Sequence, residues 1–274
     1  MTRSFPRLTI KDSFRIEGPG LHSGEPAAVS LEPSTNGIVF VSGKKEIPAH
    51  VTNVTDTSRC TQLGDLSTVE HVLSALAGLG VTDCHIVLDG MELPAANGCS
   101  TPFVNGILEA GLVNVGSLEI EGLFDRVYHV DGDVKLAIGL GDGHWGYEFN
   151  LENYFLGQTT YEWRGSAAQY AAEIAPARTV VLEEELEAVK QYGLGKGLDE
   201  SSCLGIGFKS FLNEPRFPDE PTRHKMLDLI GDLALTGVPA QLLNVQAVRS
   251  GHKSNVVAAA KLAERVIIRR IDSN

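Results

Sequence analysis

Hydrophobic and polar residues alternate in short runs along the first 90 residues, and glycine and proline separate the runs. Alternation with a period of two is typical of strands with one buried face. The pattern predicts strands over residues 8–18, 25–33, 37–43, 46–54, 57–64 and 82–90. Apolar residues at helical spacing predict helices over 67–80 and 100–113, and we expect Ser67 or Thr68 to cap the first of them.

The same order of strands and helices begins again near residue 116. Further strands are predicted over 118–152. A polar insert, a helix at 182–194 with an acidic start, a helix around 223–233 and a final segment at 253–270 complete the chain. Strands followed by helices, twice, predict an α+β protein of two similar halves. We place the boundary near residues 113–120, which gives domains 1–115 and 116–274.

Composition is that of an ordinary globular protein, with 43% hydrophobic and 21% charged residues among 274. This length suffices for one large or two modest domains. The net charge of −12 argues against nucleic acid as a partner, because nucleic-acid binding requires a basic face. A small anionic substrate remains compatible with this charge, since a local basic pocket can form in an acidic protein.

The four cysteines are scattered and form no CxxC pair, which indicates free thiols in a reducing compartment. The first residues contain no apolar core of the signal-peptide type. No run approaches the roughly 20 apolar residues of a membrane-spanning helix. We therefore expect a soluble cytoplasmic monomer whose contact with membranes is at most peripheral.

One short stretch, RHKMLDLIGDL at residues 223–233, suggests chemistry. On a helix, His224, Asp228 and Asp232 follow one another at intervals of four residues, so each lies only about 40° around the axis from the last. One interpretation is a solvated polar face or a structural hydrogen bond. The other is a metal site, in which His224 and Asp228 bind the ion and Asp232 orients a further group.

A second candidate lies at the start of the helix predicted over 67–80. Glu70 and His71 are adjacent, so on a helix their side chains point about 100° apart. His71 could therefore join His224 and Asp228 as a metal ligand, while Glu70 reaches a metal-bound water as general base. Three ligands and one open position are typical of catalytic zinc, and zinc lowers the pKa of its water to about 7.

A third candidate is His252, in the glycine-flanked sequence SGHKSN. As a cation it could stabilise an oxyanion and protonate a leaving amine, with Asp232 keeping the imidazole charged. Lys225 could add positive charge near the oxyanion. Each of these motifs, taken alone, is more often an exposed helix turn or a polar loop.

Taken together and in order, the motifs resemble one enzyme family, the zinc-dependent UDP-3-O-acyl-N-acetylglucosamine deacetylases of lipid A biosynthesis. The resemblance spans nearly the whole chain. It rests on GPGLHSGEPAAVSLEP (18–33), STVEHVLSALAGLG (67–80), ELPAANGCSTPF (92–103), PARTVVLEEEL (176–186), RHKMLDLIGDL (223–233) and SGHKSN (250–255).

The resemblance implies hydrolysis of the 2-acetamido group of a UDP-linked acylated amino sugar, with zinc-bound water as the nucleophile. Iron is the alternative metal that such a set of ligands could bind. It implies two domains, each a β-sheet with two helices, with the helices packed between the sheets. An insert in the second domain is expected to form the acyl passage. The implied site residues are the ligands His71, His224 and Asp228, the base Glu70, the acid His252 with Asp232, the substrate contact Lys225 and the oxyanion donor Thr179.

Two single residues and two short segments depart from the family pattern. Val180 replaces an aromatic residue, Asn97-Gly98-Cys99 replaces DGS, Arg249 replaces a lysine, and GKGLDESS (195–202) replaces a glycine-rich stretch. None of these changes removes a ligand or an acid–base group. They leave open two alternatives, a related zinc deacetylase of another N-acetylated sugar and a non-catalytic relative.

Overall fold

Two five-stranded sheets of identical strand order form the outer layers of the protein. The structure is a computed structural model that describes residues 2–122 and 126–273. The first half contains β1 (Thr2–Ile10), β2 (Phe14–Pro19), β3 (Pro26–Glu32), β4 (Ile38–Ser42), β5 (Lys45–Pro48), β6 (Val54–Asp56), β7 (Gln62–Leu63), α1 (Glu70–Gly78), β8 (Cys84–Asp89) and α2 (Thr101–Ala110). The rest contains β9 (Leu112–Gly122), β10 (Val127–Asp131), β11 (Val134–Leu140), β12 (Trp145–Leu151), β13 (Gly157–Trp163), α3 (Ala167–Gln169), β14 (Thr179–Leu182), α4 (Leu186–Gln191), β15 (Cys203–Ile206), α5 (Glu220–Ala234), β16 (Leu243–Val248), α6 (His252–Ala263) and β17 (Val266–Asp272).

The strand order reveals the internal similarity of the two halves. The first sheet has the order β2-β3-β8-β4-β5 and the second β10-β11-β16-β12-β13. In both sheets the last strand along the chain lies in the middle, parallel to one neighbour and antiparallel to the other. A helix precedes this central strand and another follows it, α1 and α2 in one half and α5 and α6 in the other. The prediction of an α+β protein with two similar halves is confirmed.

The four long helices lie between the two sheets. α2 packs on β2 of the first sheet, whereas α5 and α6 pack on strands of the second. α1 contacts both α2 and α5, so the two halves meet along the α1–α5 pair. Burial on several sides explains why α5 carries few exposed residues although its sequence is rich in polar ones.

A three-stranded sheet of order β1-β9-β17 joins the two halves, and the predicted boundary near residues 113–120 lies within its central strand. Beside this sheet, Arg7 and Asp83 form an ion pair of 3.0 Å between fully buried side chains. Asp83 also accepts a hydrogen bond from the backbone N–H of Gly37 and pairs with Arg270. This ionic cluster fixes the first strand to the first domain and to the end of the chain.

Some local predictions were wrong. The strand expected over 8–18 is broken at residues 11–13, because the N–H groups of Lys11 and Asp12 bond to carbonyls near residue 110. Neither Ser67 nor Thr68 caps α1, since Thr68 adopts a left-handed backbone with a φ of 64°.

The helix expected over 182–194 is limited to Leu186–Gln191, because Leu182 pairs with β15. Residues 123–125 of the strand region predicted at 118–152 lie outside the described residues. Among the helices of residues 2–122 and 126–273, none is both long and apolar enough to cross a membrane.

Candidate metal centre

A stripe of ionisable side chains runs along α5, buried between the two sheets. His224, Asp228 and Asp232 are each at most 3% exposed. Their spacing of four residues places them on one face of the helix, while Met226, Leu227, Leu229 and Ile230 fill the hydrophobic core around it. Burying polar groups is costly unless they are paired, so their contacts show what the stripe does.

His71, in the first turn of α1, lies opposite this stripe. One potential ligand atom from each of His71, His224 and Asp228 lies within 4.8 Å of the other two. The two imidazole rings are perpendicular, with centroids 5.4 Å apart, and the Nε2 atom of His224 lies 3.5 Å from Oδ1 of Asp228. The structure therefore brings together the three residues that the sequence suggested as metal ligands.

Burial favours the neutral form of both imidazoles, and a hydrogen bond fixes the tautomer of His224. Burial, and secondarily the nearby His224, lowers the pKa of His71 to about 3. Burial likewise lowers the pKa of His224. The Nδ1 atom of His224 lies 3.0 Å from the carbonyl oxygen of Ala177. Because a carbonyl can only accept, Nδ1 carries the proton, which leaves the lone pair on Nε2 free to bind a metal.

Asp228 supplies the negative charge of the group. Although burial opposes ionisation, Lys225 and the nearby histidines outweigh it and hold the pKa of Asp228 well below its usual range. Lys225 donates a hydrogen bond of 2.9 Å to Oδ2 of Asp228, whereas the buried Oδ1 atom has no hydrogen-bond partner within residues 2–122 and 126–273. The two neutral imidazoles and the Oδ1 atom of Asp228 form a set of ligand atoms that suits zinc.

Glu70 directly precedes His71 and is 3% exposed. Its Oε2 atom accepts a hydrogen bond of 3.0 Å from the backbone N–H of Thr61. Burial raises the pKa of Glu70 to about 7, and His252 opposes this shift. A carboxylate that titrates near neutrality is suited to accept a proton and to release it again.

His252 is the first residue of α6, and its Nδ1 atom lies 3.0 Å from Oδ2 of Asp232. Asp232 also accepts hydrogen bonds from Thr61 Oγ1 (2.6 Å) and Asn255 Nδ2 (2.9 Å). Burial and the positive end of the helix dipole oppose a charge on His252. Asp232, followed by Asp228 and Glu70, outweighs burial and raises the pKa of His252 to about 10.

Thr179 lies at the start of β14, and its hydroxyl donates a hydrogen bond of 3.1 Å to the carbonyl oxygen of Gly98. It lines a cleft of about 650 Å³ together with Val180. Apolar side chains contribute to the cleft wall, namely Leu21, Val181, Leu186, Leu194, Leu198 and Leu212. Arg59 and Lys196 also line the cleft, as do carboxylates such as Glu185 and Glu200.

Two polar residues of the centre went unassigned in the sequence. Thr61 contacts Glu70 through its N–H and Asp232 through its hydroxyl, but a threonine in a predicted strand carries no chemical signal. Asn255 lies within SGHKSN, one helical turn after His252, and its position three residues along α6 could have indicated a shared contact.

Comparison with known proteins places this geometry in a family context. The sequence model of UDP-3-O-acyl N-acetylglycosamine deacetylases matches residues 7–264. A UDP-3-O-acyl-N-acetylglucosamine deacetylase of Chlamydia muridarum is 38% identical, over 93% of this chain and 94% of the relative. Proteins of the same name from an Anaeromyxobacter species and a Nostoc species are 35% and 33% identical, covering 93% and 94% of this chain and 87% and 97% of the relatives.

Proposed function

The chain belongs to the UDP-3-O-acyl-N-acetylglucosamine deacetylase family, and from this premise we propose that it removes the N-acetyl group of UDP-3-O-acyl-N-acetylglucosamine in lipid A biosynthesis. Membership makes the chain an amide hydrolase. The observation that carries the proposal is the convergence of His71, His224 and Asp228 in one buried group, beside a carboxylate and an imidazole of shifted pKa. The products are acetate and the free 2-amino sugar.

His71, His224 and Asp228 would hold the metal, which we propose to be zinc, with iron as the alternative. When bound, such an ion acidifies a water molecule and polarises the amide carbonyl. The neutral imidazoles and the ionised Asp228 are already in the protonation states that metal binding requires, so at neutral pH the ion has no proton of theirs to displace.

Glu70 acts in this proposal as general base. Its pKa of about 7 lets it take a proton from the attacking water and hold it at Oε1, because Oε2 is occupied by the N–H of Thr61. His252, kept protonated by Asp232, faces the opposite requirement. It stabilises the developing oxyanion and then donates its Nε2 proton to the amine as the C–N bond breaks.

Thr179 and Lys225 are proposed to contact the substrate. Thr179 would do so at the oxyanion, once its hydroxyl proton turns away from the carbonyl of Gly98, and Lys225 would do so beside Asp228. The cleft that Thr179 and several apolar side chains line is proposed as the acyl passage. Val180 is smaller than the aromatic residue of the family pattern. The acyl passage is therefore wider beside Val180, and no aromatic ring contacts the acyl chain at this position.

The test compares the wild type with His224→Ala and Glu70→Gln. We expect about one zinc or iron per wild-type chain by elemental analysis, none in His224→Ala, and a normal content in Glu70→Gln. Mass spectrometry should show the acetyl group lost from the substrate with wild type, and with Glu70→Gln at a rate lower by about 10²- to 10⁴-fold.

Near-normal turnover by Glu70→Gln would overturn the assignment of the base. A wild type that binds metal but leaves this substrate intact would indicate that the substrate is another N-acetylated sugar. A wild type that binds no metal at all would identify a non-catalytic relative.

A further inference from the structure

Glu220 extends the polar stripe of α5 by one helical turn. It lies four residues before His224, in the first turn of the helix, and its side chain is fully buried. No step of the proposed reaction uses it. A fully buried carboxylate this close to a metal ligand is costly unless its contacts stabilise it.

The contacts of Glu220 converge on Arg178. The Oε1 atom of Glu220 accepts hydrogen bonds from the backbone N–H of Arg178 (3.0 Å) and from its Nε atom (2.9 Å). The Oε2 atom accepts from Nη2 of Arg178 (3.1 Å) and from the backbone N–H of Arg216 (2.6 Å). The guanidinium therefore neutralises the carboxylate, and the carboxylate in turn fixes the backbone at residue 178.

That backbone N–H belongs to the same planar peptide unit as the carbonyl of Ala177. The carbonyl accepts the Nδ1 proton of His224 at 3.0 Å. One rigid peptide unit is thus held at both ends by α5, through Glu220 at its N–H and through His224 at its carbonyl. The chain of contacts runs from a carboxylate through a peptide to the imidazole of a metal ligand.

We propose that Glu220 is a positioning residue of the metal centre, which acts on His224 through the peptide unit that joins Ala177 to Arg178. Hydrogen bonds in series polarise one another, so a carboxylate at the N–H makes the carbonyl a stronger acceptor. A stronger acceptor fixes the tautomer and the orientation of the imidazole and increases its strength as a ligand, as a carboxylate in direct contact does in other metal sites.

This proposal rests on the proposed metal site but not on the identity of the substrate. Replacing Glu220 by glutamine keeps the shape of the side chain but exchanges one acceptor oxygen for a donor. Either the N–H of Arg178 or that of Arg216 then loses its partner, and the guanidinium of Arg178 loses its counter-charge. A matched control is Asp219→Asn, which removes the neighbouring carboxylate that pairs with Arg223 on the same helix.

The experiment measures Zn²⁺ affinity by competition with a chelating dye, and the absorption spectrum of the Co²⁺-substituted protein. We expect Glu220→Gln to bind Zn²⁺ about 10- to 100-fold more weakly and to shift the Co²⁺ bands. Asp219→Asn should leave both unchanged. Equal affinity and an equal spectrum in Glu220→Gln and wild type would overturn the proposal, as would equal losses in the control.

A measurement on the wild type covers the case in which Glu220→Gln fails to fold. In protein labelled with ¹⁵N-histidine and ¹³C-alanine, His224 should show an Nδ1 proton that exchanges slowly with solvent and couples to the carbonyl carbon of Ala177. The absence of that coupling would overturn the proposed action of Glu220 on His224 through the peptide unit between Ala177 and Arg178. A wild type that binds Zn²⁺ normally but does not turn over the substrate would instead count against the proposed reaction and leave the role of Glu220 intact.

Discussion

Replacing Asp232 by asparagine isolates the charge that keeps His252 protonated. In the wild type, Asp232, followed by Asp228 and Glu70, outweighs burial and raises the pKa of His252 from 6.5 to about 10. Asparagine keeps the volume of the side chain and one acceptor oxygen for Thr61 or His252, but removes the charge. We therefore expect the pKa of His252 in Asp232→Asn to return towards 6.5.

The magnitude follows from the fraction of His252 that carries the proton. At pH 8 a pKa of 10 leaves about 99% of the imidazole charged, whereas a pKa of 6.5 leaves only about 3%, so the rate should fall by up to about 30-fold. At pH 6 both proteins keep most of the charge and the ratio should shrink below about two-fold. A raised pKa of His252 extends activity to higher pH. Loss of the Asp232 charge therefore shifts the basic limb of the pH–rate profile to lower pH.

The assay is kcat/KM for acetate release between pH 5.5 and about 10.5, because this ratio reports the pKa values of the free enzyme. The acidic limb, assigned to Glu70 with its pKa of about 7, should remain in both proteins. Asp219→Asn removes a carboxylate from the same helix and should keep the wild-type profile. A basic limb that stays in place in Asp232→Asn, or a loss of equal size at every pH, would refute the electrostatic role of Asp232.

Two further predictions concern packing. Gly231→Ala should weaken metal binding and lower the free energy of unfolding by about 1–3 kcal/mol, because the added Cβ would lie 2.2 Å from the carbonyl oxygen of Glu70. Gly18→Ala, whose added Cβ has its nearest contact at 3.8 Å, is the control. Chelator titration and urea unfolding measure both variants, and equal effects in the two would contradict the reasoning. Asp83→Ala should lower the free energy of unfolding by about 3–5 kcal/mol, because it leaves Arg7 buried without its main partner. A change below about 1 kcal/mol, measured by denaturant unfolding, would show that the ion pair contributes little.

Periodicity predicted the part of the site that lies on single helices. The spacing of His224, Asp228 and Asp232 is a local property of α5, and the structure places all three on its buried face. The same rule applied one turn earlier would have indicated Glu220. Strands and helices were likewise predictable in their order, although not where long-range pairing decides their ends, as at Leu182.

Contacts between distant segments could not be predicted in this way. Thr61 reaches Asp232 across 171 positions, and the carbonyl of Ala177 meets His224 across 47. Neither residue has a side-chain type or a spacing that indicates these partners. The backbone carbonyl is invisible to any motif, since every residue has one, and only the fold determines which carbonyl faces the imidazole.

The internal similarity of the halves explains why the centre lies where it does. α1 and α5 are equivalent helices of the two halves, since each precedes the central strand of its sheet. They meet where Gly231, which has no side chain, allows the backbone of Glu70 to approach. α1 contributes Glu70 and His71, whereas α5 contributes His224 and Asp228 and α6 contributes His252. Neither half alone contains both the proposed base and all three proposed ligands, so a metal bound by all three would stabilise only the packed pair. The free energy of metal binding is therefore also free energy of association between the two halves.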